Sequence, residues 1–490
     1  MDSVNASNAR LMRAIRRELL DRIAPELETA DARERVAFMA SVLDYMAAEF
    51  DLLPALAAEA TAEFRSSIEQ VLPLMPANGV NEKHSNDTND IDALRQLAGH
   101  LIRSLADTSG QHTPDEHAAI VRAQSRMASI DRDWLRRFEA ARENRLFVHG
   151  TTENFDAAPR EAITAASLTR YLRERFLELP LITVQTITPV PGGRSKRTLR
   201  IELANSAPLP GHLVMRQDLY RRTGSASVVN EYAPLRFLSG IELPVPKPVH
   251  FEPDSTALGP PFLLVERIEG RVPGSYFGMD ITCPAAFLDL AKTLATLHGI
   301  APHTLGFDGP AAAESGGRLA AQVEDYWSKW RGNSLRPSPV VEYAYSWARR
   351  EAAAESGPTA VVHGDCGPHN LLVQDGRLAA LLDWEFMHLG DPAEDLGIAR
   401  AYSDTMMPWH AFMTAYRDAG GADVPDRRIR VGTLLHYLKG TVLVAVSARN
   451  FAEGKTNEFT KGANSYTGLR RIEMKIVEFF DVLSDAESQS

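Results

Sequence analysis

Most of the strand-like sequence in this chain lies in one segment between two long helical ones, and this order limits the possible folds more than any other feature. Residues 181–268 contain short runs that are rich in β-branched residues or alternate in polarity, with Gly and Pro between them. The runs are LITVQTITPV, RTLRIEL, HLVMRQ, KPVHFE and PFLLVERI. On both sides, apolar residues recur at the helical spacings of three and four. The pattern predicts an α+β protein.

The same pattern predicts three domains. Residues 1–150 are expected to form an all-helical N-terminal domain of unknown role, residues 160–270 a small β-rich lobe, and residues 271–490 a larger helical lobe. Residues 76–90 are rich in turn formers and predict a loop between N-terminal helices. A chain of 490 residues with 44% apolar residues is long enough to bury cores in domains of this size.

Composition excludes several classes of protein. The net charge is −11, whereas a nucleic-acid-binding protein is usually basic. Two cysteines far apart in sequence do not form a disulfide framework, so a reducing compartment is expected. The N-terminus lacks a basic segment followed by an apolar run, and no long continuous apolar segment predicts a membrane span. We therefore expect a cytoplasmic protein with no nucleic-acid or membrane partner.

The stretch VVHGDCGPHNLLV, residues 361–373, places a polar loop between two strand-like edges. Asp365 and Asn370 have the Asp-x-x-x-x-Asn spacing of the protein-kinase catalytic loop. In that loop the Asp accepts the substrate hydroxyl proton and the Asn holds magnesium, which prefers hard oxygen ligands. The spacing therefore indicates phosphoryl transfer, with one carboxylate aiming the acceptor hydroxyl.

A second carboxylate follows at the end of the next strand-like run. Asp383 ends the run that begins after Gly376, and this position is suited to a second metal ligand. Asp391, Pro392 and Glu394 then have the pattern of an N-cap, a first-turn proline and a capping-box glutamate, so a helix is predicted to begin there. The short connection leaves no room for the long activation segment with which protein kinases are regulated.

The two motifs HGDCGPHNLL and LLDWEFMHLGDPAEDL closely resemble the aminoglycoside phosphotransferase and choline kinase family. Its members fold like protein kinases and phosphorylate hydroxyl groups of small molecules. The resemblance covers residues 164–490, and LATLHGI and VEDYWSKWRG are similar to the branch fused to acyl-CoA dehydrogenases. It implies a protein-kinase-like bilobal fold, ATP and Mg as cofactors, and a nucleotide and a small hydroxylated substrate as partners.

The resemblance also implies roles for residues of the helical lobe. Asp365 would be the catalytic base, and Asn370 and Asp383 would be the magnesium ligands. His363 and Asp395 would brace the catalytic loop, and Glu385 lies beside the metal ligand.

The β-rich lobe is expected to bind the nucleotide. The sequence PVPGGRSKRTLRIEL predicts a strand-turn-strand with Arg194, Ser195, Lys196 and Arg197 at its tip, where backbone amides and basic side chains would cover phosphates. The predicted phosphate-binding residues of this turn are Gly192, Gly193, Arg194 and Ser195.

Two further nucleotide contacts are implied by the resemblance. HLVMRQ occupies the strand in which the family usually has a phosphate-binding lysine, and here that residue is Arg216, with Glu231 as its expected ion-pair partner. Arginine also binds phosphate, through its planar fork. FLLVERIEG is expected to be the hinge whose backbone, from Glu266 to Ile268, contacts adenine.

Simpler interpretations stay open for several of these residues. His363 is expected to be structural, Asp395 is equally explained as an acid in the first turn of a helix, and Gly192-Gly193 can be an ordinary hairpin turn. A thiol nucleophile at Cys366 would leave the Asp and Asn residues unexplained. The alternative to an enzyme is a nucleotide-binding pseudokinase or scaffold whose N-terminal helices bind a partner.

Overall fold

The structure is a computed structural model. It describes residues 2–27, 30–71, 91–107, 113–140, 163–190, 196–218, 227–241, 243–305, 317–335, 338–354, 356–455 and 459–488. The helices are α1 Asp2–Glu18, α2 Ala30–Val71, α3 Ile91–Asp107, α4 Pro114–Ala140, α5 Ala165–Arg175, α6 Val228–Leu238, α7 Ser255–Leu258, α8 Pro284–His298, α9 Gly317–Asn333, α10 Pro339–Ala353, α11 Pro392–Ser403, α12 Trp409–Asp418, α13 Asp426–Ala452 and α14 Phe459–Ser488. The strands are β1 Thr183–Pro189, β2 Lys196–Ala204, β3 His212–Asp218, β4 Pro248–Glu252, β5 Phe262–Glu266, β6 Gly274–Ser275, β7 Gly278–Met279, β8 Ala360–Val362, β9 Leu371–Gln374, β10 Arg377–Leu381 and β11 His388–Gly390.

The strands β1 to β5 form one antiparallel sheet in the order β1-β2-β3-β5-β4. They correspond to the five strand runs of the sequence, and helices precede and follow them. The predicted α+β class, with an all-helical N-terminal region, is therefore confirmed.

The two faces of this sheet have different roles. On one face, Leu199 lies opposite Met215 and Ile201 opposite Leu213, and these apolar residues pack in a core that includes residues of α5. Directly opposed residues share a face, and successive residues alternate between faces. The other face of β2 and β3 therefore carries polar residues, with Lys196 opposite Asp218 and Thr198 opposite Arg216.

Two short antiparallel pairs position the loop motifs. Strand β8 pairs with β11, so the segment before the predicted catalytic loop lies beside the segment that follows Asp383. Strands β9 and β10 form a hairpin closed by Asp375 and Gly376, which both have positive φ angles of 50° and 77°. An Asp-Gly pair with two positive φ angles is typical of the tight type I′ hairpin turn.

By contacts, the chain divides into two compact units. The first comprises Met1–Thr151, Val323–Arg350 and Tyr437–Ser490, and the second comprises Thr152–Gln322 and Glu351–His436. Two segments of the predicted helical lobe, Val323–Arg350 and Tyr437–Ser490, thus belong to the same compact unit as the N-terminal helices. The predicted domain boundaries at 1–150, 160–270 and 271–490 stay a prediction.

Buried ion pairs connect the segments of the first unit. The guanidinium of Arg103 donates to Glu342, with 3.1 Å between Nε and Oε2, and the Trp330 indole donates to the same carboxylate at 2.7 Å. Arg95 pairs with Asp131, which also accepts the backbone N–H of Val340 at 3.3 Å. Because buried charges need partners, these pairs specify how helices distant in sequence meet.

Among the described residues, only helix α13 has the length and mean hydropathy of a membrane span, with a mean hydropathy of 1.3 over its most apolar window. Within the protein, 72% of that window is buried, as in the core helix of a globular domain.

Candidate active site

The predicted catalytic loop leaves β8 through a turn that requires glycine. Gly364 has a φ of +76°, and a Cβ atom there would lie 2.9 Å from the carbonyl oxygen of Phe386. Asp365 follows, and the Nδ2 group of Asn370 donates to its carbonyl oxygen at 2.8 Å and to its Oδ2 at 3.0 Å. These bonds use the amide nitrogen of Asn370, so its Oδ1 is the atom suited to bind a cation.

His369 completes the surroundings of the Asp365 carboxylate. Its Nε2 lies 3.2 Å from Asp365 Oδ2. His369 follows Asp365 by four residues, and the short turn Pro368–Asn370 brings it back beside the aspartate.

His363 connects the catalytic loop to the strand that carries Asp383. Its Nδ1 accepts the backbone N–H of Asp365 at 3.1 Å, and its Nε2 lies 2.9 Å from the carbonyl oxygen of Leu382. A backbone N–H only donates and a carbonyl only accepts, so these partners fix a neutral ring with its proton on Nε2. Complete burial lowers the pKa of His363, which favours the same neutral form. The predicted structural role therefore has a geometric basis.

Asp395 anchors the start of the loop. This fully buried carboxylate accepts the backbone N–H groups of His363 at 2.7 Å and Gly364 at 2.8 Å, and lies 3.1 Å from Nε2 of His298. Burial alone would raise the pKa of Asp395, but the His298 side chain and the hydrogen bonds hold it below its ordinary value. Asp395 is in the first turn of α11 and also braces the loop, so both interpretations of this residue apply.

Asp383 has a strained backbone. Its φ and ψ are both 64°, in the left-handed region that costs a non-glycine residue roughly 1–2 kcal/mol. The preceding residue, Leu382, is held by its N–H donating to the carbonyl oxygen of Asn370 at 2.8 Å. Strain of this kind persists where the surrounding structure enforces it, commonly at functional sites.

Arg216 lies between two carboxylates. Its Nε is 3.1 Å from Oε2 of Glu231, and its Nη2 is 2.5 Å from Oδ1 of Asp383. Burial would lower the pKa of Arg216, but Glu231 and Asp383 raise it above its ordinary value. The structure thus brings together the predicted Arg216–Glu231 pair and places the predicted metal ligand beside it.

The residue that positions Glu231 is Asp218, at the end of β3. Its carboxylate accepts the Ser227 hydroxyl at 2.6 Å and the backbone N–H of Val228 at 2.8 Å. Helix α6 therefore begins against the strand that carries Arg216, and its first turn places Glu231 within reach of the guanidinium.

Lys196 is a further cation of the site, one that the sequence analysis had placed at a turn. It begins β2, only 2% of its side chain is exposed, and its Nζ lies 3.4 Å from Asp383 Oδ1 and 3.5 Å from Glu231 Oε2. It also pairs closely with Glu385. In the sequence, Lys196 is one residue in a run of basic residues, and nothing there distinguishes it from its neighbours. Only the strand register shows that it shares a sheet face with Arg216.

Burial and the neighbouring charges set the protonation of the cluster. Burial and Arg216 would lower the pKa of Lys196, but Asp383, Glu231 and Glu385 outweigh them and raise it. Burial would raise the pKa of Asp383, but Arg216 and Lys196 hold it below its ordinary value. Burial, followed by the Asp383 charge, raises the pKa of Glu385. Asp383 is thus kept as a carboxylate.

The donor set fits a magnesium ion that is shared with phosphates. Within the described parts of the chain, no three His, Cys, Asp or Glu side chains are grouped so as to hold a metal ion by themselves. Magnesium does not need such a group, because it typically binds one or two protein carboxylates, with phosphates and water completing its shell. The ionised carboxylate of Asp383 and the Oδ1 of Asn370 provide hard oxygen ligands of this kind.

The remaining predicted nucleotide contacts are only partly described. Gly192, Gly193, Arg194 and Ser195 lie outside the described residues. At the predicted hinge, the backbone N–H of Glu266 donates to the backbone carbonyl oxygen of Lys247 at 2.9 Å. Ile268 follows the end of β5. The adenine contact of this segment stays a prediction.

Comparison with known proteins identifies the family. The phosphotransferase enzyme family designated APH matches residues 186–430, which include the catalytic loop, Asp383 and both cations. This chain belongs to that family, as the sequence motifs predicted.

Relatives of two kinds are similar in sequence. Acyl-CoA dehydrogenase family member 11 of Rattus norvegicus is 25% identical over 50% of this chain, and the aligned segment is 32% of that protein's length. The chain therefore spans about a third of that relative, in accordance with the predicted similarity to modules fused to acyl-CoA dehydrogenases. Viomycin phosphotransferase of Streptomyces vinaceus is 28% identical over 47% of this chain and 79% of its own length.

Among solved structures, a putative aminoglycoside phosphotransferase from Ralstonia eutropha aligns with 64% of this chain and 98% of its own, at 16% identity and a TM-score of 0.46.

Proposed function

We propose that this protein transfers the γ-phosphoryl group of ATP, in a magnesium-dependent reaction, to a hydroxyl group of a small molecule. The observation that carries the proposal is the position of Asp383. This strained carboxylate lies against Arg216 and Lys196, which hold its pKa low against burial and the smaller, opposing effect of the Asp365 charge. A general base and a metal ligand beside two cations are the groups that phosphoryl transfer requires.

Each side chain has a defined task in this proposal. Asp365 accepts the proton of the acceptor hydroxyl, while Asn370 and His369 fix the orientation of its carboxylate. Asn370 and Asp383 would hold magnesium, and Arg216 would meet the phosphates through its planar fork. When bound, the magnesium nucleotide supplies the phosphoryl group and the neutralising divalent charge. His363 keeps the base and the metal ligand in register.

Family membership supports an enzyme rather than a scaffold. The relative named viomycin phosphotransferase supports a small-molecule acceptor. We further propose that the protein acts in the cytoplasm, in accordance with its cysteine content.

The test is ADP release with ATP and magnesium over a panel of hydroxylated compounds: aminoglycosides, macrolides, peptide antibiotics, sugars, amino alcohols and hydroxyacyl compounds. We expect at least one compound to raise ADP release above the rate with ATP and magnesium alone. Asp365→Asn is the matched control, since it preserves shape but removes the base.

A nucleotide-binding scaffold would give a different result. It would bind ATP, but no compound would raise ADP release, and Asp365→Asn would leave the background rate unchanged. ADP release that is stimulated by an acceptor and survives in Asp365→Asn would place the chemistry at another site.

A further inference from the structure

Lys196 is buried among carboxylates, and fold stability alone does not explain its position. The cluster contains two cations, Lys196 and Arg216, and three carboxylates, Glu231, Asp383 and Glu385. With two positive and three negative groups, the cluster carries one excess negative charge when all are ionised. Buried ion pairs contribute little net stability compared with apolar residues of similar size. A buried lysine in an unbalanced cluster therefore indicates a binding function.

The strand register places Lys196 and Arg216 on one surface. Lys196 pairs with Asp218 and Thr198 pairs with Arg216, so the two cations are diagonal neighbours on the same face of adjacent antiparallel strands. Both reach Oδ1 of Asp383, Lys196 from 3.4 Å and Arg216 from 2.5 Å. Two cations thus converge on the carboxylate that would hold the metal.

Metal binding at Asp383 changes what these cations can contact. A divalent ion on the Asp383 oxygen would repel both cations, and phosphates brought with the ion would attract them. Arg216 keeps a second partner in Glu231 at 3.1 Å. Lys196 is a compact ammonium on a flexible stem with three donors, so it can exchange Asp383 for a phosphate oxygen while it keeps Glu385.

We infer that Lys196 is a phosphate-binding residue of the nucleotide site, and that its ammonium moves from Asp383 to the nucleotide phosphates when the magnesium nucleotide binds. The inference rests on the proposed function and deepens it. In this assignment the ammonium that the resemblance places on the third strand comes from β2, and it would bind the phosphates together with Arg216, which also pairs with Glu231.

The test compares ligands that differ only in phosphate. Dissociation constants of adenosine, ADP and a non-hydrolysable ATP analogue are measured by calorimetry, each with and without magnesium. In Lys196→Met we expect adenosine affinity to be unchanged and affinity for the ATP analogue to fall about 10- to 100-fold, the range for a lost hydrogen bond to a charged group. Lys196→Arg should recover part of this loss.

The control is Lys292→Met, the same substitution at an exposed lysine of helix α8. It should leave all three affinities unchanged. If Lys196→Met does not fold, the double variant Lys196→Met/Glu385→Gln removes one carboxylate together with the cation, and it should show the same selective loss.

The possible failures are distinguishable. If wild type binds no ATP analogue, the proposed function fails and this inference fails with it. If wild type binds the analogue but the variants lose adenosine and analogue affinity equally, or lose neither, Lys196 is only structural and the inference alone is overturned.

Discussion

Replacing Asp395 by asparagine should destabilise the protein by several kcal/mol although the side chains have the same shape. The Asp395 carboxylate is fully buried and accepts two backbone N–H groups, from His363 at 2.7 Å and Gly364 at 2.8 Å, while His298 Nε2 lies 3.1 Å away. An asparagine offers one acceptor oxygen in place of two. Its amide N–H₂ group would then face one of the backbone N–H groups that the second carboxylate oxygen accepts in wild type.

The magnitude follows from the bonds that are lost. A hydrogen bond to a charged group contributes about 1.5–3 kcal/mol, and an unsatisfied buried N–H costs a further ~1–3 kcal/mol. We therefore expect a loss of about 3–5 kcal/mol, the range for breaking a buried charge pair. Because domains are typically stable by only about 5–15 kcal/mol, this loss is easily measured.

The assay is urea unfolding of wild type and Asp395→Asn, with Asp426→Asn as the control. Asp426 is an aspartate of the same unit that pairs with Arg400 and Arg430, but 47% of its side chain is exposed. Exposed pairs contribute about 0–1 kcal/mol, so the control should be nearly unchanged. A loss below about 1 kcal/mol in Asp395→Asn, or equal losses in both variants, would refute the proposed anchoring of the loop.

Three further predictions concern the reaction, the metal site and the pH dependence of stability. Asp365→Asn should lower turnover about 10²- to 10⁴-fold, the contribution of a positioned base, with nucleotide affinity retained in calorimetry; near-wild-type turnover would remove Asp365 from the mechanism. Asp383→Asn should remove the magnesium dependence of ATP binding, and unchanged dependence would mean that the metal binds elsewhere. Burial opposes the charge on His388, but Glu394, with 3.2 Å between Nε2 and Oε2, raises its pKa from 6.5 to about 9. The pair of His388 and Glu394 therefore stabilises the protein fully below pH 6.5, and this contribution is lost as the pH rises through about 9. The difference in the free energy of unfolding between wild type and His388→Gln should shrink over that interval. A difference that grows instead would contradict the ion pair.

Local signals made part of the structure predictable. The Asp391–Glu394 capping box forms as the sequence indicated, because each residue satisfies a backbone N–H of the same helix end. The hairpin at Gly376 and the Asp365–Asn370 loop likewise depend on residues close in sequence. Such features require no knowledge of the tertiary fold.

Contacts between distant segments were predictable only where the family resemblance implied them, as for Arg216 and Glu231. Lys196 was one of several basic residues near a turn, and its proximity to Asp383 and Glu385 arises only when the sheet faces the catalytic loop. His298 likewise ends α8, and its contact with Asp395 follows from helix packing. The Arg103–Glu342 pair shows the same limit for the first unit. A pattern along one segment does not specify which charged residue a distant segment will meet.

The most direct test of the central claim follows the phosphoryl group itself. ATP labelled on the γ-phosphate is incubated with magnesium, the protein and each acceptor of the panel, and the products are separated and identified by mass spectrometry. We predict that the label appears on a hydroxyl of an acceptor with wild type and is nearly absent with Asp365→Asn and Asp383→Asn. Label that stays on ATP with every acceptor, or that reaches the acceptor equally with the two variants, would contradict phosphoryl transfer at this site.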